Sequence, residues 1–336
     1  MPSKKTIAVI GATGNQGFSV ARTFSALPEW QVRAITRNPA STKAQELSNL
    51  GCSVTQADLS DQASLSQAFS GCHAIFVNTD FWAAYRASVA AGDTPEKSSA
   101  IGYDTELQHG QNAAAAASCI PTLEKFIYSA LGPMARASGG KYSRSMHWET
   151  KSAIVDYIST SHPQLFSKSS FIYLGAYTTN QFLLPKPHPS TGEYTMLAPC
   201  PATTLMPVID APSSTGPFVR ALIEDEEPGK RLLAYDSYLT VDQIAGVWSN
   251  VTGKPAKFVG MSMQAVHEMT KVPFEVLEGA AFIGEYGYMG GIPDAMEPAQ
   301  LRNKPETPTY EEWLRGRDVN ELLSIPGINE YLSGTD

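Results

Sequence analysis

The feature that most constrains this chain is a glycine-spaced turn set between a strand and a helix close to its start. The apolar, β-branched run Thr6–Ile10 passes directly into Gly11-Ala12-Thr13-Gly14-Asn15-Gln16-Gly17, and a helical pattern follows over Gln16–Leu27. Glycine at 11 permits a tight turn, glycine at 14 lets a phosphate approach backbone amides, and glycine at 17 lets the helix sit close to the strand. The first amides of a helix have no partners within it, and the helix dipole is positive at that end, so an anion is favoured there. Together these features predict a pyrophosphate site for a dinucleotide, formed by Gly11, Thr13, Gly14, Asn15, Gln16 and Gly17.

The rest of the first half repeats the rhythm of strand and helix. Strands are expected at Thr6–Ile10, Gln31–Thr36, Ser53–Gln56, Ala74–Asn78, Lys125–Ser129 and Ser170–Leu174. Helices are expected at Gln16–Leu27, Ser41–Leu50, Gln62–Phe69, Ser99–Ser118 and Ser145–Ser159, with the alanines at 113–117 forming a slim face that packs against the sheet. Such alternation predicts an α/β fold, a doubly wound parallel sheet of Rossmann type. After Leu174 the pattern becomes irregular, with proline-rich stretches at Leu184–Pro189 and Pro199–Pro207. Shorter helices follow at Ser214–Ile223, Val241–Val251 and Ser262–Thr270. A smaller, mostly helical C-terminal substrate lobe is therefore expected. The domains are residues 1–180 and residues 181–336, the latter with strand and helix excursions returning to the first. Gly284–Glu297, with five glycines or prolines, is expected to be a mobile loop.

In doubly wound sheets ligands collect at the carboxyl ends of the strands. At the end of the second strand, where an NAD site usually carries an acid for the ribose hydroxyls, stands Arg37. Its guanidinium can pair with a 2′-phosphate and stack on adenine, which favours NADP(H); the alternative is a solvated loop arginine. After the third strand, Asp58 and Leu59 can cover the adenine, or Asp58 can cap the next helix. Beyond the fourth strand, Asn78 and Thr79 can face the pyrophosphate and the nicotinamide ribose. Phe81, Trp82 and Tyr85, just past them, form either the aromatic wall of a substrate pocket or part of a core at a lobe boundary.

Charge and cysteine usage narrow the class of partner. With 25 basic against 33 acidic side chains the formal charge is −8, which opposes direct nucleic-acid binding through a general basic surface. Cys52, Cys72, Cys119 and Cys200 are scattered, with no CxxC pair and no histidine cluster, so neither a metal site nor a disulfide framework is indicated. The early first strand leaves no room for a secretory signal, and no segment reaches the length of a membrane span. A cytoplasmic location is the expectation.

Several segments resemble the NmrA-like family, an atypical branch of the short-chain dehydrogenases/reductases that includes fungal nitrogen regulators and NADPH-sensing proteins. The resemblance covers nearly the whole chain. Ile7–Gly17 (IAVIGATGNQG) and Phe76–Trp82 (FVNTDFW) carry it most specifically. AITRNP (Ala34–Pro39), ADLSD (Ala57–Asp61), KFIYSAL (Lys125–Leu131), HWETK (His147–Lys151), YLGAYTTNQF (Tyr173–Phe182) and TPTYEEWL (Thr307–Leu314) add to it. It implies a Rossmann domain with a small C-terminal lobe and the nicotinamide in the cleft between them. It also implies that Gly175, Tyr177 and Asn180 run alongside the nicotinamide, and that Ser129 stands where the superfamily places a substrate-orienting serine. That hydroxyl could instead simply cap the chain.

The wider superfamily reduces carbonyls with Tyr-x-x-x-Lys on one helix face, the tyrosine donating a proton and the lysine holding the ribose. Here the tyrosine position is His147, with Lys151 retained. His147 can serve as the acid, because imidazole titrates near neutrality, or Tyr142, Tyr173 or Tyr177 can substitute. His147 can equally be a helix-surface residue. Lys151 reads better as a cofactor ligand than as a catalyst. Two functions follow. One is an NADPH-dependent reductase of a small carbonyl, imine or enone, with Lys151, His147 and Ser129 at the reacting centre. The other is a non-catalytic NADP(H) sensor acting through a regulatory protein partner; a homodimer is compatible with either. In both, Arg37→Ala is expected to lower the ratio of NADP(H) to NAD(H) affinity at least tenfold by titration, since a lost charge-assisted pair is worth about 1.5–3 kcal/mol. An unchanged ratio would remove Arg37 from cofactor choice.

Overall fold

The computed structural model describes residues 4–188 and 191–333; Pro189, the last residue of one expected proline-rich stretch, lies outside them, as do the outermost residues of both expected domains. In chain order the first half runs β1 (Lys5–Ile10), α1 (Asn15–Ser25), β2 (Trp30–Thr36), α2 (Thr42–Asn49), β3 (Ser53–Gln56), α3 (Gln62–Phe69) and β4 (Ala74–Val77). It continues with α4 (Phe81–Ala90), α5 (Pro95–Ser118), β5 (Lys125–Ser129), α6 (Met134–Ala137), α7 (Met146–Ser161), α8 (Pro163–Phe166) and β6 (Ser169–Leu174). Then come β7 (Ala176–Tyr177), β8 (Lys186–Pro187), β9 (Tyr194–Ala198), β10 (Leu205–Ile209), α9 (Ala211–Glu224), β11 (Arg231–Ala234), β12 (Ser237–Thr240), α10 (Val241–Thr252) and β13 (Ala256–Gly260). The chain closes with α11 (Met263–Thr270), α12 (Phe274–Tyr286), β14 (Ala295–Met296), α13 (Tyr310–Arg315), α14 (Val319–Ser324) and α15 (Ile328–Ser333).

Eight strands form one parallel sheet in the order β14-β11-β6-β5-β4-β1-β2-β3. This is the expected Rossmann-type sheet, extended at one edge by β11 and β14 from the C-terminal half. Alternation along β1 shows why both faces must be covered. Ile7 and Val9 pack with Val20 and Phe24 of α1 and with Phe218 and Leu222 of α9, while Ala8 and Ile10 face Leu65 of α3, the buried alanines of α5 and Ile154 of α7. The chain reverses its winding between β1 and β4, which opens a crevice at the carboxyl ends of those strands.

Two of the differences from expectation have local reasons. Helix α5 begins at Pro95 rather than Ser99, because Thr94 caps it through the amide of Lys97 and proline occupies its first turn. Helix α4 was not anticipated at all: its run FWAAYRASVA has no clear apolar stripe, yet Asp80 starts it by accepting from the amides of Trp82 and Ala83. Gly284–Glu297 is anchored instead of standing free. Helix α12 continues into it, the buried Tyr288 donates its hydroxyl to the Leu174 carbonyl at 2.6 Å, and β14 pairs with β11.

Smaller sheets, β12-β10-β7 and β13-β9-β8, lie outside the main one with α10 to α15. Among the described residues no helix is long and apolar enough to cross a membrane. The fit between α1 and α9 depends on Gly216: its amide donates to Ser19 Oγ at 2.9 Å, and a Cβ there would lie 2.2 Å from Thr23 Oγ1 and 2.3 Å from the Ser19 carbonyl oxygen. Gly216→Ala is therefore expected to cost about 1–3 kcal/mol in urea denaturation, as overpacked cores do. Gly246→Ala, exposed on α10 with nothing near its Cβ, should instead add roughly 0.5–1 kcal/mol. Equal effects at the two sites would refute the account of that interface.

Candidate functional site

The phosphate loop has the geometry its glycines imply. Gly11 sits at φ +70, which L side chains rarely adopt, and its carbonyl accepts the Gly14 amide at 2.9 Å. A Cβ at Gly17 would lie 2.2 Å from the Gly11 oxygen, so α1 approaches the turn only because that position is bare. Helices α2, α3, α4 and α5 are capped by the side chains of Ser41, Asp61, Asp80 and Thr94, whereas α1 starts on Gly14 with no side-chain cap and no acid in its first turn. Its first amides are thus left for an outside acceptor. Thr13 and Asn15 reach solvent, and the Asn78 carbonyl borders Gly11. Gln16 is buried: its Nε2 donates to the Tyr177 hydroxyl at 2.8 Å, and its Oε1 has no partner. Burial pushes the Tyr177 hydroxyl up to about 12 despite that bond.

Beyond β2 and β3 a hollow of about 310 Å³ is lined by Arg37, Gln56, Ala57, Asp58, Asp61 and Ser64. Arg37 is exposed and forms no ion pair among the described residues. Asp61, not Asp58, caps α3. Asp58 Oδ1 instead accepts the amide and hydroxyl of Ser60, both at 2.8 Å, and those bonds hold the carboxyl below its usual range against the opposing effect of burial. Leu59 packs on the core, with its carbonyl accepting Asn112 Nδ2 at 2.8 Å.

Lys151 lies in a nearly closed polar network that the sequence reading did not assemble. Its Nζ donates to the Thr79 carbonyl and hydroxyl, both at 3.1 Å, and pairs with Glu106 at 3.0 Å. Glu106 is fully buried on α5; its Oε1 accepts the Thr79 hydroxyl at 2.6 Å and its Oε2 has no partner. Tyr128 of β5 completes the group, 3.0 Å from the Thr79 hydroxyl, and burial raises its own hydroxyl well above the usual range. The lysine therefore neutralises a carboxylate inside the fold and projects from the same helix face as His147.

His147 opens α7 beside a second buried acid. Its Nδ1 is 2.6 Å from Oε1 of Glu275, a residue of α12 that is 4% exposed. The same carboxylate accepts the amides of Met146 and His147, each at 3.0 Å, and one turn later Glu278 accepts the amide and Nε of Arg144, each at 2.6 Å. The imidazole packs on Trp82, ring centroids 4.8 Å apart, with Phe81 at 5.9 Å. Phe81 and Tyr85 are buried with Leu332 of α15, while Trp82 keeps partial exposure, so of the three expected pocket aromatics Trp82 faces the His147 ring from an accessible position.

Other expected residues are scattered around this edge. Ser129 ends β5, buried, with no side-chain hydrogen bond among the described residues. Gly175 is buried against β10, and its amide donates to the Ala234 carbonyl at 2.9 Å. Asn180 is exposed and turns the chain, accepting the Phe182 amide. Of the alternative tyrosines, Tyr142 is committed to Glu285 at 2.7 Å and Tyr173 lies buried inside the sheet on β6; only Tyr177 borders the phosphate loop. Glu106, Tyr128 and Glu275 were missed. For Glu106 a signal existed, because it shares a helical face with Gly110, Ala113 and Ala117, and an acid on a buried small-residue face must have a partner.

A profile of the NmrA-like family matches residues 3–314. Over 96% of its length the chain is 29% identical to an NmrA-like family domain-containing oxidoreductase, hkm9 of Aspergillus hancockii, and covers 95% of that protein. Among solved structures it resembles NmrA, a negative transcriptional regulator, in complex with NADP, with a TM-score of 0.64 and 23% identity over 99% of both chains. The NADPH-dependent quinone oxidoreductase QOR2 of Escherichia coli, complexed with NADPH, also gives 0.64, at 19% identity over 92% of this chain and 98% of that one.

The Lys151 network carries a stability consequence. Lys151→Met leaves Glu106 buried without its cation, which should cost about 3–5 kcal/mol in chemical denaturation. Adding Glu106→Leu should restore most of the loss, since both charges are then gone. Strictly additive losses would show that the two groups do not form a pair.

Proposed function

Because the chain belongs to the NmrA-like family, we propose that it is an NADPH-dependent oxidoreductase that reduces a small carbonyl, imine or enone at the carboxyl edge of its sheet. The observation that carries this proposal is His147: a ring held by a buried carboxylate through one nitrogen, with the other unbonded among the described residues, on the same helix face as Lys151. The residues present fit the dinucleotide. The uncapped start of α1 and the close turn at Gly11 to Gly17 would hold the pyrophosphate through Gly14, Asn15 and Gln16, with Thr13 and Asn78 at its flank. Arg37 would take the 2′-phosphate, with Asp58 and Leu59 against the adenine in the adjoining hollow.

Bound NADPH supplies a hydride. The chain's own residues supply binding, orientation and a proton. Thr79 and Lys151, which are hydrogen-bonded to each other, would form the floor of the ribose site, and the Gly175–Asn180 segment, joined to the glycine loop by the Tyr177–Gln16 hydrogen bond, would form its wall. Ser129 offers an uncommitted hydroxyl to a carbonyl oxygen, and Trp82 a flat apolar surface to the substrate. Residues 181–336 are taken as the lobe that closes the substrate side.

A second reading has its own support. Lys151 is committed to Glu106 and the usual tyrosine is absent, which suits a protein that holds NADP(H) and reports on it to a regulatory partner. NADPH absorbance decides between the two. Wild-type chain is expected to oxidise NADPH with at least one of cinnamaldehyde, a cyclic imine or a naphthoquinone, and Lys151→Ala to lose at least tenfold in kcat/KM. Tight NADPH binding without turnover on any of them would favour the sensor.

A further inference from the structure

We propose that Glu275 is a positioning residue for His147: it keeps the ring proton on Nδ1 and leaves Nε2 as the nitrogen that exchanges protons with a substrate. The inference rests on the reductase reading for its chemistry, and on hydrogen-bond directions alone for its geometry. Glu275 is 4% exposed and accepts two backbone amides at the start of α7, so its oxygens are already used as acceptors. Its Oε1 nevertheless lies 2.6 Å from Nδ1. Ser145 supplies an independent constraint. Its hydroxyl donates to the Glu275 carbonyl at 2.8 Å, so toward Nδ1, 3.3 Å away, it can only accept. Two acceptors converge on one nitrogen, and that nitrogen must carry hydrogen.

The other nitrogen has no such commitment. Nε2 makes no hydrogen bond among the described residues, and the ring retains 17% of its side-chain exposure beside Trp82. A neutral imidazole in solution prefers hydrogen on Nε2, so Glu275 and Ser145 enforce the opposite tautomer, as second partners of functional histidines do. In reduction of a carbonyl the balance is simple. The carbon accepts the hydride that NADPH gives up in becoming NADP⁺, the C=O π pair moves to oxygen, and that oxygen takes the proton from Nε2–H of the doubly protonated ring. What remains is neutral imidazole with Nδ1–H on Glu275, and solvent returns the proton to Nε2.

Because α12 supplies Glu275, the donor is assembled only when α12 is docked on α7. The same carboxylate supports the helix itself, so loss of activity on its removal would not separate positioning from folding. The tautomer does.

Long-range ¹H–¹⁵N correlation spectra of the uniformly labelled, cofactor-free chain at mildly alkaline pH, with His147→Gln as the assignment control, read it directly. Wild type is expected to show the Nδ1–H form of His147. Glu275→Gln, which offers a single acceptor to three donors, should shift the ring toward the Nε2–H form, and Glu275→Asp should recover Nδ1–H. With a compound that is turned over, Glu275→Gln should lower kcat by about 10- to 100-fold while KM for NADPH stays within about twofold, the split expected of an acid–base contribution. An Nε2–H ring in wild type overturns the proposal, as does a Glu275→Gln chain with wild-type tautomer and kcat. A wild-type chain with Nδ1–H and no NADPH oxidation overturns the reductase reading and leaves the positioning of the ring in place.

Discussion

The helix that bears His147 and Lys151 does not supply its own cap, and the rest of the site depends on how that deficit is met. Ser145 stands at the cap position without making a side-chain cap bond, so the first amides of α7 are satisfied by Glu275, more than a hundred residues further along the chain. A carboxylate at a helix N-terminus gains from the dipole, about 2 kcal/mol in favourable partly buried positions. Glu278, one turn along α12, repeats the arrangement with Arg144, whose guanidinium also lies 3.9 Å over the Phe274 ring. The start of α7 is thereby held by α12, while Lys151 ties its next turn to Glu106 of α5 and to Thr79 beyond β4.

Lys151 extends that dependence into the core. A charge pair as deeply buried as Lys151 and Glu106 is a poor way to stabilise a fold, because desolvating both groups consumes most of what their attraction returns. What it achieves is placement. Thr79 and Tyr128 tie the pair to the ends of β4 and β5, so the lysine is held inward, and the Oε2 of Glu106, unpartnered among the described residues, leaves the network short of one donor. The small-residue face of α5 is what allows such a network to sit this close to the sheet.

The contrast between what the residues declare and what they conceal has a physical pattern. Gly11, Gly14 and Gly17 were legible because their roles are local: a positive φ and a close helix start are dictated within seven residues. Strands β1, β4, β5 and β6 were legible because burial on both faces forces continuous apolar runs, whereas β3, Ser-Val-Thr-Gln, was legible only by its place in the alternation. Lys151 and His147 were legible as a spacing. Glu106 and Glu275 were not, since a glutamate in a helix reads as a solvated residue until the opposing helix is known, and both opposing partners come from distant parts of the chain. The aromatic run at 81–85 was ambiguous for the same reason: whether Phe81 and Tyr85 line a pocket or fill a core is decided by α15, which brings Leu332 onto them. Gly284–Glu297 misled because glycine and proline mark turns without saying whether the turn is anchored, and its anchors, the Tyr288 hydroxyl and the pairing of β14 with β11, depend on distant parts of the chain.

These two buried acids separate the question of binding from the question of chemistry. Glu106 draws Lys151 inward, which in the proposed reading suits holding a cofactor's sugar better than lowering the barrier of a proton transfer. Glu275 does the opposite for His147: it fixes one nitrogen and leaves the other at an accessible edge beside Trp82. In the proposed reading, a histidine whose tautomer is set from two sides suits a proton donor better than a protein that only holds NADP(H). The absent tyrosine is therefore weaker support for an inert site than its position alone suggests, because the function it serves elsewhere can be carried by a ring whose geometry is set from α12.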